Sequence, residues 1–199
     1  MHPFISRLLF LVFLLSPSLA FGTPAKYYVP PSQFSAAFQI MDRGLSNVLG
    51  LFQKATGSFA FDDSAKTIAH LKIAIDAESL TVANPGAARD LAELLKPDDF
   101  PEIVFMATAE SAFKDNKSEI KGTLTLHGVS KPAAFNATLN QAASVAQQGG
   151  NLSRKEPGMG LSLKGSFKRA DFNMGDEPEM PGRFGDTITL MLEMQALEP

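Results

Sequence analysis

Few residues in this sequence can do chemistry, and their spacing limits what that chemistry is. Beyond His2, the imidazoles are His70 and His127, and neither has a His, Cys or carboxylate at the spacing of a metal site or a triad. A lone imidazole in that setting belongs to the surface. Cysteine is absent, which excludes thiol catalysis, Cys-ligated metals and disulfides. The acidic run Asp176-Glu177-Pro178-Glu179 lacks the loop spacing that would converge roughly six to eight oxygens on a calcium ion, and it reads as a solvated turn. No nucleophile elbow, phosphate loop or dinucleotide fingerprint occurs, so no catalytic residue and no metal ligand is assigned. The N-x-S/T matches at Asn116, Asn136 and Asn151 matter only in a glycosylating pathway.

Two Arg/Asp pairs remain, Arg89 with Asp90 and Arg169 with Asp171. Beside an apolar cavity, Arg89 or Arg169 could pair with an acidic head group or hydrogen-bond a quinone-like one. The plainer reading, which the turn chemistry around them favours, is that each Arg pairs with a nearby Asp and fixes a corner.

The elements that must position these residues are strands. Period-two alternation sets Phe34, Ala36, Phe38 and Ile40 on one face, and the pattern returns at Gly57, Phe59, Phe61 and at Ala69, Leu71, Ile73, Ile75. It continues through Ile103, Phe105, Ala107; Ile120, Gly122, Leu124, Leu126; and Ala133, Phe135, Ala137, Leu139. The last two runs are Leu161, Leu163, Gly165, Phe167 and Ile188, Leu190, Leu192, Met194. Turn residues separate them at Asp62–Lys66, Lys114–Lys117 and Gly128–Pro132. These are eight half-buried antiparallel strands. They can close into an up-and-down barrel, although periodicity alone leaves a two-sheet sandwich open.

One segment breaks the period. Asn84 is an N-cap, Pro85 stands at the first helical position, Ala88, Leu91 and Leu95 recur at helical spacing, and Pro97 stops the run. A short amphipathic helix is expected there, packed outside the barrel or across its mouth. Ser144 to Gly158, rich in Gln, Gly, Asn and Ser, reads as a surface loop.

At the start of the chain, Arg7, the apolar run Leu8–Leu15 and the small residues Ser18, Ala20 and Gly22 have the order of a secretory leader. A cleavable signal peptide over 1–22, cut after Ala20 or Gly22, is expected, with residues 23–199 as one domain. The net charge of −3 gives no electrostatic footprint for nucleic acid.

The chain has 16 Phe and no Trp, and four of the Phe (Phe4, Phe10, Phe13, Phe21) lie in or beside the expected leader. Phe38, Phe59, Phe61, Phe105, Phe135 and Phe167 could fill a small barrel outright. Against that, the inward Ala36, Ala69, Ala107, Gly122, Ala137 and Gly165 are small, and the contrast is compatible with a cavity.

The order of several short motifs resembles the YceI family. They are Gly57-Ser58-Phe59-Ala60-Phe61-Asp62, Ala88-Arg89-Asp90, Phe100-Pro101-Glu102-Ile103-Val104-Phe105, Gly122 to Pro132, Arg169-Ala170-Asp171-Phe172 and Asp186-Thr187-Ile188-Thr189-Leu190. The resemblance implies a lipocalin-like barrel in the periplasm, whose apolar tunnel holds a polyisoprenoid or a quinone-like lipid, with no required cofactor and no catalysis. On that basis the tunnel is lined by Phe38, Ile40, Phe59, Phe61, Leu71, Ile73, Phe105, Leu124, Phe135, Leu163, Phe167, Leu190 and Leu192. Arg89 and Arg169 are then the candidate head-group contacts. The stretch Leu91 to Phe100 is shorter than usual and carries no His, so the chain departs from the family at the tunnel mouth. The partner is an apolar lipid, with transient contact to a membrane or membrane protein admitted and either a monomer or a homodimer compatible. The alternative is an envelope or stress-related module that docks on a membrane protein through its surface.

Overall fold

The computed structural model describes residues 24–141, 158–175 and 182–197. The expected leader, most of the expected loop over Ser144 to Gly158, Asn151 and the acidic run from Asp176 lie outside them. Twelve strands form one antiparallel sheet. In chain order they are β1 (Ala25–Val29), β2 (Phe34–Asp42), β3 (Ser46–Phe52), β4 (Ala55–Asp62), β5 (Thr67–Asp76) and β6 (Leu80–Val82). After helix α1 (Pro85–Leu95) come β7 (Glu102–Ala107), β8 (Ser111–Ala112), β9 (Lys117–Leu126), β10 (Val129–Gln141), β11 (Gly158–Lys168) and β12 (Phe184–Leu197).

Beyond the eight expected runs the sheet gains β1, β3, β6 and two-residue β8; the first three, which the alternation did not mark, continue β2, β4 and β5 across bends. A short 3₁₀ turn at Pro31–Gln33 divides β1 from β2, and another at Ala77–Ser79 divides β5 from β6. Pro31 and Pro30 cannot donate to a ladder, so the first break falls where a hydrogen-bonding partner is missing anyway. Pairing runs through each break: β1 lies on β4 as β2 lies on β3, and β5 lies on β4 as β6 lies on β3. The remaining order is β5, β7, β9, β10, β11, β12. Strand β12 then returns to β2, with Ile188 opposite Ile40, and to β1, with Tyr28 opposite Leu197. The sheet therefore curls onto its own first strand as a lipocalin-type barrel, and the sandwich is excluded.

One phase of the alternation slips. Between Ser58 and Ala60 the β4–β5 register shifts, and His70 adopts the left-handed φ of 56°. One extra residue on β5 reverses which side faces inward. Ile68 is thus fully buried while Ala69 is only partly so, correcting the expected inward place of Ala69. His70 is exposed on the outer rim of this bulge.

Helix α1 forms where expected. The Asn84 side chain accepts from the backbone N–H groups of Gly86 and Ala87 at 2.9 and 3.2 Å, and Lys96 closes the helix in the left-handed region. Its buried face is Ala87, Asp90, Leu91, Leu94 and Leu95, a stripe with helical spacing that includes one carboxylate. It lies across one end of the barrel.

Candidate functional site

Three leucines of α1 roof an apolar cavity of about 40 Å³. Below Leu91, Leu94 and Leu95 its walls are Phe38 and Ile40 of β2, Phe52 and Leu80 of the bent strands, and Ile188 and Leu190 of β12; Ile103, Leu126 and Met174 complete it. Every lining side chain is hydrocarbon or thioether, so whatever enters is held by area burial. The volume is well under the roughly 150 Å³ that admits benzene.

Of the residues expected along a tunnel, Phe38, Ile40 and Leu190 border this cavity. Phe59, Phe61, Leu71, Ile73, Phe105, Leu124, Phe135, Leu163 and Leu192 are buried in the same core, and Phe167 is partly buried against it. Phe105 and Phe135 meet edge to face at 4.7 Å between centroids, and Phe135 and Phe167 at 5.3 Å. The small inward residues do not leave space in this middle layer. A Cβ on Gly122 would stand 2.6 Å from the Phe105 ring, and one on Gly165 would stand 2.6 Å from Phe167 and 2.9 Å from Phe135. At these two positions the space a side chain would take is filled by the rings, which favours the filled-barrel alternative for this layer.

Neither arginine proposed for a head group points into the cavity. Arg89 is largely exposed; its Nε and Nη2 donate to Oδ1 of Asp90 at 3.2 Å, with Glu93 within 3.9 Å. Arg169 is buried and donates to the backbone carbonyls of Gly185, Met174 and Phe184 at 3.1, 2.7 and 3.0 Å. It ties the 3₁₀ turn Arg169–Phe172 to the start of β12. In the same corner the Ala170 N–H donates to Asp186 at 3.2 Å. That backbone hydrogen bond, with Lys168 beside it, holds the Asp186 carboxyl below the usual carboxylate range. Asp171 is exposed. His127 turns β9 into β10 at φ 50° and packs on Phe100, ring centroids 4.1 Å apart.

A charged residue that the sequence did not single out, Arg183, is paired with the helix that roofs the cavity. Its Nη1 pairs directly with Oδ2 of Asp90 on α1, and its Nε donates to Oδ1 of Asp42 at 3.3 Å. Its guanidinium lies 5.0 Å from the Phe184 ring centre. The Asp90 side chain is 3% exposed and that of Arg183 15%. A pair so buried is costly to break on one side, because the other charge is left without its partner. One signal was available for Asp42: the inward series Phe34, Ala36, Phe38, Ile40 continues onto it, placing a carboxylate on the apolar phase. Nothing local marks Arg183. Among the described residues, no three His, Asp or Glu side chains gather as a metal site, and no helix is long and apolar enough to cross a membrane.

A profile of the YceI-like domain matches residues 27–196. A UPF0312 protein of Pseudomonas putida strain W619 is 36% identical over 107 residues, and one of Shewanella baltica is 33% identical over the same length. Each of these alignments covers 52% of this chain and 55% of the relative, so the chain spans about half the length of the curated relatives it matches. Among solved structures, the Campylobacter jejuni YCEI protein superposes with a TM-score of 0.64 at 25% identity, over 78% of this chain and 87% of the other. BcnA of Burkholderia cenocepacia gives 0.68 at 17%, over 84% and 98%. A domain from Saccharophagus degradans described as polyisoprenoid-binding gives 0.54 at 11%, over 89% and 100%.

Proposed function

Because the chain belongs to the YceI-like domain family, a binding-type fold and not a known enzyme family, we propose that it binds a single apolar chain under helix α1 without catalysing a reaction on it. The observation that carries this is the cavity beneath Leu91, Leu94 and Leu95, whose walls are wholly apolar. A polyisoprenoid or a similar single-chain amphiphile fits that chemistry, and the neighbour described as polyisoprenoid-binding supports the same class. Each methylene moved out of water contributes roughly 0.8 kcal/mol, so a long chain needs few polar contacts. The ligand re-covers the leucines that α1 exposes as it lifts, which lowers the cost of opening. The leader-like Arg7 and Leu8–Leu15 run supports work outside the inner membrane, in a periplasm.

Purifying the protein from its own host, extracting it with organic solvent and analysing the extract by mass spectrometry tests the proposal. A co-purifying prenyl or related lipid is the expected result. If none is found and prenyl probes fail to bind in calorimetry, the reading is wrong.

One observation favours the second reading, a surface that docks on an envelope protein. Leu45 is 86% exposed at the β2–β3 turn, and Leu49 and Leu51 are more than half exposed on the outer face of β3. Under that reading, charged substitutions at Leu49 and Leu51 abolish function while substitutions in the cavity do not.

A further inference from the structure

The roof and the rim of the cavity are held by one ionic cluster, and its members differ in what they are attached to. Asp90 rides on α1, on the same buried face as Leu94 one turn further on. Arg183 directly precedes β12 and is tied to the barrel through its backbone. Its carbonyl accepts the Arg43 N–H at 2.7 Å, and the next carbonyl, of Phe184, accepts from buried Arg169 at 3.0 Å. Asp42 is likewise in a strand, two residues beyond cavity-lining Ile40. When α1 rises to admit a chain, Asp90 leaves with it, while Arg183 and Asp42 stay. The guanidinium then keeps its Nε partner and loses its Nη1 partner, and both partners neighbour cavity-lining residues in the chain, Asp42 near Ile40 and Asp90 beside Leu91.

We propose that Arg183 is the head-group residue of this site, and that the acidic head of a single-chain amphiphile, phosphate or carboxylate, replaces Asp90 on Arg183 as α1 opens. This rests on the reading of the cavity as a ligand site. An anionic oxygen restores the charge-assisted hydrogen bond that opening breaks, in the planar geometry a guanidinium prefers. An alcohol or a quinone carbonyl accepts one hydrogen bond but brings no negative charge to replace that of Asp90. Asp90 is then both the latch of the closed state and the competitor of the ligand. Arg89, which donates to the other Asp90 oxygen, Oδ1, moves with the helix and keeps the freed carboxylate company in the open state.

The test uses three ligands with one chain and different heads: farnesyl phosphate, farnesoate and farnesol. Their affinities are measured by calorimetry on the intact protein and on Arg183→Gln and Asp90→Asn. The wild type is expected to prefer the acidic heads over farnesol by about tenfold or more, a typical discrimination for one charge-assisted contact. In Arg183→Gln that ratio falls toward one. In Asp90→Asn, which removes the competitor but keeps the shape, the ratio rises. A response to farnesyl phosphate alone assigns the phosphate, and an equal response to farnesoate assigns acidic heads in general. An unchanged ratio in both variants overturns the head-group role while leaving the apolar site intact. Failure of all three probes on the wild type instead overturns the ligand site itself. If Arg183→Gln does not fold by circular dichroism, Asp90→Asn decides: a higher ratio supports the exchange and an unchanged one refutes it.

Discussion

The middle of the barrel and its helix-covered end are built from the same apolar alphabet but solve opposite problems. In the middle, Phe105, Phe135 and Phe167 interlock over Gly122 and Gly165, so that large and small residues fill each other's space. At the covered end, leucines of α1 face Phe38, Ile40 and Leu190 across a gap, and the closure is completed by Asp90, Arg183 and Asp42. Packing secures the first region, and an ionic latch over incomplete packing secures the second. Stability and adaptability are thus separated along the barrel axis, as in proteins whose binding elements come from their less stable parts.

That contrast is sharpest for the aromatic layer. Phe135→Ala is expected to cost about 3–5 kcal/mol in chemical denaturation, since the ring is fully buried between two others. A loss below about 1 kcal/mol would show that the layer is not tightly packed. Gly165→Ala comes next, at about 1–3 kcal/mol, because the added methyl meets the rings of Phe167 and Phe135 and the Ala134 carbonyl. At the other end, Leu94→Ala is expected near the lower limit for a buried leucine, about 2 kcal/mol, because its side chain already borders unfilled space. Equal costs for Leu94→Ala and Phe135→Ala would erase the difference between the two regions.

The smallest effect concerns pH. Asp186 is more acidic in the fold than in the unfolded chain, owing first to the Ala170 N–H and then to Lys168. Its contribution is therefore complete above the unfolded value and is lost as pH falls through the lower, folded one. Asp186→Asn should lower the melting temperature slightly at neutral pH and leave it unchanged in strong acid, where the carboxyl is protonated in either state, so that the acid limb flattens. An identical acid limb in both proteins would show that the corner does not depend on this carboxylate.

Much of this architecture was legible in the residues. Alternation located β2, β4, β5, β7 and β9 to β12 but not β1 or the seven-residue β3, and Asn84, Pro85 and Pro97 bounded α1, because strand pleat and helix capping are local properties. The reversed face at Ile68 was not legible: a bulge depends on a partner strand, and His70 carries no mark of a left-handed conformation. Gly122 and Gly165 left both readings open for a related reason, since a glycine states how close something approaches but not whether that thing is a ligand or a ring. The site divided in the same way. Its apolar walls followed from period two, whereas the meeting of Asp90 with Arg183 joins distant parts of the chain and has no local signature.

The ring is sewn shut by its earliest and latest strands. Because Ile40 must find Ile188 and Tyr28 must find Leu197, β1 and β2 cannot take their β12 partner until nearly all the described chain is available. Loop closure over such a separation has to be achieved before its contacts contribute, which slows folding. During that interval β2 presents an unpaired edge beside the exposed leucines of β3. Refolding should therefore be slow for a chain of this size, and losses to aggregation should grow with protein concentration until the seam has closed.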